Sequence, residues 1–241
     1  MNAHVPLVSI VIPCFNEQEN IPKLIAACKG VSAMHPIEFI LVNNGSTDST
    51  GDAIEFHINE VSGIRSLTIE NNLGYGFGIL SGLDVCEGKY IGWTHADLQT
   101  DINDLLATIP ILSELKDTDQ IFIKGKRLGR PLADSFFTLG MSIFESFIFK
   151  KRLWDVNAQP TIFSRSLYES FTEPPEDFSL DLYAYLTATS NHYSIRRIPV
   201  RFYPRVHGIS SWNTDWKSKK KFIRRTMSFT FALQRKLNAN N

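Results

Sequence analysis

The sequence has only three cysteines, Cys14, Cys28 and Cys86, and no two of them stand in a CxxC spacing. An odd number so placed offers no disulfide framework and fits inert thiols in a reducing cytosol. No run approaches the roughly 18 apolar residues needed to span a bilayer. Residues 1–6 hold no basic segment leading into an apolar one, so no secretory leader is read there. Internal repeats, low-complexity tracts and linkers are also missing. That leaves one domain over residues 1–241, whose 43% hydrophobic and 21% charged residues suit a globular protein with a proper core.

Net charge is absent as well, but only in the sum. Up to residue 195 there are 13 Lys or Arg against 24 Asp or Glu, and beyond it 12 basic residues against Asp215 alone. Such asymmetry marks either an anionic partner or the solvated face of a basic terminal helix.

What is present is alternation. The β-branched run Val8-Ser9-Ile10-Val11-Ile12 ends at Pro13, and a helical stretch follows over 17–29. A second strand over 37–42 leads to a helix over 46–60, with Ser46 or Thr47 as its cap. A strand over 66–69, a Gly-containing helix over 75–85 and a strand over 89–94 repeat the pattern. Strands alternating with helices of this length imply βαβ units, an α/β class and a mostly parallel sheet. Parallel sheets bind ligands beyond the carboxyl ends of their strands. Polar clusters stand at those ends: Asn16-Glu17, Asn43-Asn44 and His95-Ala96-Asp97. The second half reads as a helix over 130–151, a helix over 177–189, a strand over 194–203 and a basic helix over 215–237.

Each cluster has a plain alternative. Pro13-Cys14-Phe15-Asn16-Glu17 can cap a helix, and Asn43-Asn44-Gly45-Ser46-Thr47-Asp48 can be a polar turn. An acid two residues after another ligand at a strand end, as in His95-Ala96-Asp97-Leu98-Gln99, suits a hard cation completed by phosphate oxygens. Residues 95, 97 and 99 share one side only if the chain stays extended there.

In this order and spacing the motifs resemble family 2 glycosyltransferases, in the branch of dolichol-phosphate mannose synthase. The family's Pro-x-Tyr-Asn-Glu is matched by Pro13 to Glu17 with Phe15 for Tyr, and its Asp-Asp-Gly-Ser-Thr-Asp by Asn43 to Asp48. Its Asn-x-Gly is matched by Asn72 and Gly74, its Asp-Ala-Asp-Leu-Gln by His95 to Gln99, and its Arg-x-x-Gly-x-Ser by Arg205, Gly208, Ser210 and Ser211. The resemblance implies a GT-A fold, a nucleoside-diphosphate sugar donor and inversion at the anomeric carbon. It places Pro13, Phe15, Asn16, Glu17, Asn44, Ser46, Gly74, His95, Asp97, Arg205, Ser210 and Ser211 around the donor.

Two departures stand out. Asn44 replaces the acid that reads a nucleobase N–H, and an amide can both donate and accept. His95 replaces the first metal-site acid, leaving Asp97 as main ligand, with Gln99 and His95 as candidates beside it. Imidazole favours Mn²⁺ over Mg²⁺. The metal and Arg205 would neutralise the leaving diphosphate.

Asp181 matches the family's acid at the acceptor face. It is a general base if the acceptor is a hydroxyl, and a positioning group if the acceptor is an already ionised phosphate. Residues 1–125 would form the donor half and 126–241 the acceptor half. In the resemblance a basic loop at 124–131 meets the acceptor phosphate, and the Phe-rich helix at 136–149 rests on the inner face of a membrane. That helix can equally be core. The expected acceptor is a polyprenyl-phosphate or lipid-linked glycan in envelope glycan synthesis, with no nucleic acid as partner. A soluble sugar acceptor and a catalytically silent nucleotide-sugar-binding subunit are the alternatives. No Gly-rich, Lys-anchored triphosphate loop follows the first strand, which argues against a nucleotidyltransferase.

Overall fold

The computed structural model describes residues 5–59, 61–116, 120–129, 132–203 and 216–239; in the two long helices the side chains of 132–138, 216–219, 221–223, 225 and 237–239 lie outside the description. The alternation resolves into β1 (Val8–Cys14), α1 (Ile21–Ser32), β2 (Ile37–Asn44), α2 (Thr50–Ile58), β3 (Ile64–Ile69), α3 (Tyr75–Asp84) and β4 (Tyr90–Trp93). A 3₁₀ turn (Ile102–Ala107) and α4 (Thr108–Ser113) lead to β5 (Ile121–Leu128) and α5 (Leu132–Phe149). Then come β6 (Thr161–Ser164), α6 (Arg165–Glu169), α7 (Leu180–Ser190), β7 (Ser194–Arg201) and α8 (Trp216–Ala239). The strands form one sheet in the order β3-β2-β1-β4-β6-β5-β7. Only β6 runs against its neighbours, pairing antiparallel with both β4 and β5.

Strand alternation divides the core between the two faces of this sheet. Ile10 and Ile12 of β1 join Phe39 and Leu41 of β2 under Leu24, Ile25 and Cys28 of α1. Val11 points the other way, toward Val42, Ile79, Leu83 and Trp93, and this cluster continues through Phe122 and Phe163 to Leu180 and Tyr183 of α7. Burying each such large side chain contributes about 1.5–3 kcal/mol. Both faces are covered, so β1 and β2 read as nearly continuous apolar runs, interrupted only where Ser9 donates to the Glu38 carboxylate of the neighbouring strand.

The mostly parallel α/β sheet meets the sequence expectation, and several boundaries move for identifiable reasons. Helix α1 starts at Ile21 rather than 17, because Pro22 sits in its first turn and the Glu17 carbonyl is taken by the Asn20 and Ile21 amides. Helix α2 starts at Thr50, not 46. Residues 46–49 instead form a polar turn in which Asp48 Oδ1 accepts from the Thr50 amide at 3.0 Å.

Of the stretch 124–131, expected as a basic loop, residues 124–128 are strand, and 130 and 131 lie outside the described residues. Lys124 is fully buried in β5 and only Lys126 and Leu128 turn to solvent among its last residues. The Phe-rich stretch divides. Phe144 meets Phe231 of α8 edge-on at 5.9 Å and Phe149 packs on the core, whereas Ile143 and Phe147 are 61% and 81% exposed. No helix among the described residues is long and apolar enough to cross a membrane.

Candidate functional site

The polar clusters gather where the sheet's parallel strands end. After β1, Asn16 takes a left-handed φ of 55° and its Oδ1 accepts from the Thr47 amide at 2.9 Å. Ser46 Oγ returns the contact by accepting from the Asn16 amide at 3.1 Å, and Thr50 Oγ1 accepts from the Glu17 amide at 2.8 Å. The loops after β1 and β2 therefore brace each other. Pro13 remains in β1 opposite Val42, and Phe15 stands 45% exposed beyond it.

Asn44 ends β2 and is 3% exposed. Its Nδ2 donates to the Gly74 carbonyl at 3.0 Å, while its Oδ1 has no hydrogen-bond partner among the described residues. An unpaired buried carbonyl oxygen is costly unless a ligand supplies the donor. Gly78 of α3 makes the close approach possible, since a Cβ there would stand 2.9 Å from Asn44 Cγ. Gly74 adopts φ 126°, and a Cβ on it would strike the Glu176 carbonyl at 2.5 Å. The same carbonyl accepts from the Phe77 amide at 2.9 Å, tying the segment before α7 to the start of α3.

Beyond β4, Thr94 still pairs with the Val11 carbonyl, but Leu98 turns left-handed with φ 56°. The chain is therefore not extended through residue 99, and alternation does not set its side chains. His95 is half-buried and Asp97 is 8% exposed, with Asp97 Oδ1 accepting from the Gln99 amide at 3.1 Å. Gln99 donates its side-chain amide to the Tyr203 carbonyl at 3.3 Å. Arg205, Ser210 and Ser211 lie outside the described residues.

No three His, Cys, Asp or Glu among the described residues are grouped to hold a metal. One carboxylate and one imidazole fit a cation only if ligand oxygens complete its shell, and that mixed N/O set suits Mn²⁺ better than Mg²⁺.

Asp181, at the start of α7, is 1% exposed. Its Oδ1 accepts from Lys124 Nζ and from Gln159 Nε2, each at 2.9 Å. Thr161 closes the group, accepting from Lys124 Nζ at 2.7 Å and donating to Gln159 Oε1 at 3.0 Å. Asp181 Oδ2 receives the Tyr75 hydroxyl at 3.4 Å. The Tyr75 ring stacks on Phe178 at 4.7 Å and tilts against His95 at 5.8 Å, so one aromatic column joins α3, the loop after β4 and the segment just before α7.

Burial pushes the Tyr75 phenol well above its ordinary pKa, and the nearby Asp181 and Asp97 charges add to it. Burial pulls the Lys124 ammonium down, against the pull of Asp181.

Sequence reasoning does not single out Tyr75, Gln159 or Thr161, and it places Lys124 only as the first cation of the basic loop at 124–131. Only Tyr75 carried a signal, following Gly74 at a helix start. The structure instead buries Lys124 against Asp181.

The model of the family described as Glycosyl transferase family 2 matches residues 9–170. Undecaprenyl-phosphate 4-deoxy-4-formamido-L-arabinose transferase of Yersinia enterocolitica is 36% identical over 112 residues, 44% of this chain and 34% of that protein. Dodecaprenyl-phosphate galacturonate synthase of Rhizobium johnstonii is 32% identical over 126 residues, 51% of this chain and 36% of that one. The matched stretch thus spans about a third of the length of these curated relatives. Among solved structures, glucosyl-3-phosphoglycerate synthase of Mycobacterium tuberculosis in complex with UDP superposes with a TM-score of 0.69 at 17% identity, over 95% of this chain and 80% of that one. That likeness establishes the fold, and the motifs at the strand ends fall within the matched residues. With two thirds of its length matched by the family model, the chain belongs to glycosyl transferase family 2.

Proposed function

We propose that this chain moves a sugar from a nucleoside-diphosphate sugar to a polyprenyl phosphate at a membrane surface, with inversion. The observation that carries the acceptor class is the state of Asp181. Its Oδ1 already accepts from an ammonium and an amide, and its Oδ2 accepts a phenol proton. Taking a further proton would strand the Lys124 charge in the interior, which is strongly unfavourable. A hydroxyl acceptor needs a base, whereas a phosphate arrives ionised. The phosphate oxygen then bonds to the anomeric carbon as the bond from that carbon to the diphosphate oxygen breaks, and the nucleoside diphosphate leaves.

In this reading Asn44 Oδ1 accepts a nucleobase N–H, and the braced loops holding Asn16, Glu17 and Ser46 wall the nucleoside. Asp97, with His95, would hold a divalent cation jointly with the donor diphosphate. Mn²⁺ is preferred to Mg²⁺, and such an ion supplies Lewis-acid stabilisation of the leaving group. Arg205, Ser210 and Ser211 belong beside the same diphosphate. Residues to about 125 form the donor half and those beyond it the acceptor half.

Support comes from the names of the relatives, which are transferases or synthases of undecaprenyl-phosphate and dodecaprenyl-phosphate sugars. The M. tuberculosis neighbour was crystallised with Mn²⁺ and UDP-glucose. The test is transfer of radiolabelled sugar from a panel of UDP- and GDP-sugars to undecaprenyl phosphate, against a soluble glycan. Label in the lipid fraction alone is expected, and label in the soluble glycan alone would overturn the acceptor class.

A further inference from the structure

Glu145 of α5 is buried with no hydrogen-bond or ion-pair partner among the described residues, and burial alone pushes its carboxyl up to about 7. Near neutral pH its charged and neutral forms are therefore close in free energy, and a neighbouring group decides between them. The residue lines a cavity of about 20 Å³, enough for one water-sized occupant. Asn157, Ser179, Thr226 and Thr230 are the other polar residues of the lining.

This lining offers oxygens and few protons. Ser179 Oγ donates to Asp177 Oδ1 at 2.7 Å, and Thr230 Oγ1 donates to the Thr226 carbonyl at 3.0 Å. A hydroxyl has a single proton, so both groups have only lone pairs left to offer. Neither can satisfy the carboxylate, and a buried carboxylate left alone is costly. A monovalent cation meets all of these oxygens and neutralises Glu145 one for one. Asn157 can add its amide oxygen. A divalent ion would demand about six oxygens and leave a positive charge uncompensated in the interior.

We propose that this cavity binds one monovalent cation of the size of potassium or ammonium, with Glu145 as its counter-charge and the Ser179 and Thr230 hydroxyls as neutral ligands. Phe231 against Phe144, Gln234 on the Ile148 carbonyl and Lys236 on Glu173 fasten α8 farther along. The ion ties the earlier turns of α8 to α5 and to Ser179, the residue that precedes α7. The site is independent of the donor and acceptor assignments given above.

The test is thermal unfolding of the full chain at about pH 8, where the carboxylate is charged. Potassium, ammonium and tetramethylammonium chloride are compared at equal ionic strength, the last ion being too large for the cavity. Potassium or ammonium is expected to raise Tm by about 2–4 °C over tetramethylammonium, saturably with concentration. Glu145→Gln, which keeps the shape and removes the charge, should fold and lose that difference. Thr230→Val should shift the half-saturating cation concentration upward. In crystals grown in rubidium chloride, an anomalous scattering peak is expected beside Glu145. Equal Tm in all three salts, the same difference in Glu145→Gln, or absence of rubidium from this cavity overturns the proposal.

Discussion

The Lys124 ammonium lies 2.9 Å from Asp181 Oδ1, and the two side chains are 0% and 1% exposed. Neither charge has water to fall back on, so each depends on the other. Asp181→Asn and Lys124→Met should each lower stability by about 3–5 kcal/mol. The double variant should recover a large part of that loss, because the uncompensated charge is then gone. Urea denaturation of the four proteins measures the cycle, and strictly additive losses would mean that the pair is not coupled.

Asp97 supplies the only carboxylate of the expected cation shell among the described residues. Asp97→Ala is expected to abolish the Mn²⁺-dependent part of nucleoside-diphosphate binding while leaving the metal-free part. Calorimetry with UDP and GDP, with and without Mn²⁺, reads this directly. Identical Mn²⁺ dependence in parent and variant would move the cation elsewhere.

Glu145 of α5 is 4% exposed and faces a small cavity beside Ser179, Thr226 and Thr230, with no ion-pair or hydrogen-bond partner among the described residues. Burial pushes its carboxyl up to about 7, from an ordinary value of 4.5. The folded value lies above the unfolded one, so the folded state binds the proton more tightly. Below about pH 4.5 the group carries no penalty. Stability falls as pH rises from there to about 7, and the loss is complete above it. Glu145→Gln should match the parent at pH 4 and exceed it by about 3 kcal/mol at pH 8. Parallel stability curves for the two proteins between pH 4 and 8 would contradict this.

Membrane contact has a specific surface to be tested on. Ile143 and Phe147 stand one turn apart on α5 and are exposed, and Lys220, Arg224 and Arg235 are exposed on α8. Each cation near an anionic leaflet contributes about 1 kcal/mol, and the apolar pair adds a part that salt does not screen. Co-sedimentation with anionic vesicles should therefore weaken with salt without vanishing. Ile143→Ser with Phe147→Ser should abolish the residual binding at high salt. Equal recovery in the supernatant with and without vesicles at low salt would favour a soluble acceptor.

The first half of the chain was legible because its signals are local. Mostly apolar runs of five and six residues, followed by Pro13 and by Asn43-Asn44, are strands, and the polar residues just after them are where a parallel sheet opens. Boundaries slipped where side chains capture backbone amides, as Asp48 does ahead of α2. The second half was harder. Strand β6 is four residues long, like β4, but it runs antiparallel between β4 and β5 and falls outside the strand–helix alternation that exposes β4. Lys124 broke the apolar run of β5, because its charge is neutralised by a residue 57 positions away. Tyr75 and Asp181 meet across 106 positions, a juxtaposition that only the fold supplies.

The reversed strand β6 has a consequence for how the chain is made. It is the sole bridge between β4 and β5, whose register partners lie at residues 90–93 and 122–124. Synthesis delivers the first four strands early, yet the apolar rim of β4 has nothing to pair with until residue 164 has emerged. For that interval the nascent protein carries an open, hydrophobic edge, the usual template for association with a neighbouring chain. Shielding by a chaperone is expected to matter most in that window. A series of stalled ribosomes should register closure of the sheet only once Ser164 has left the exit tunnel, and closure before that point would refute the expectation.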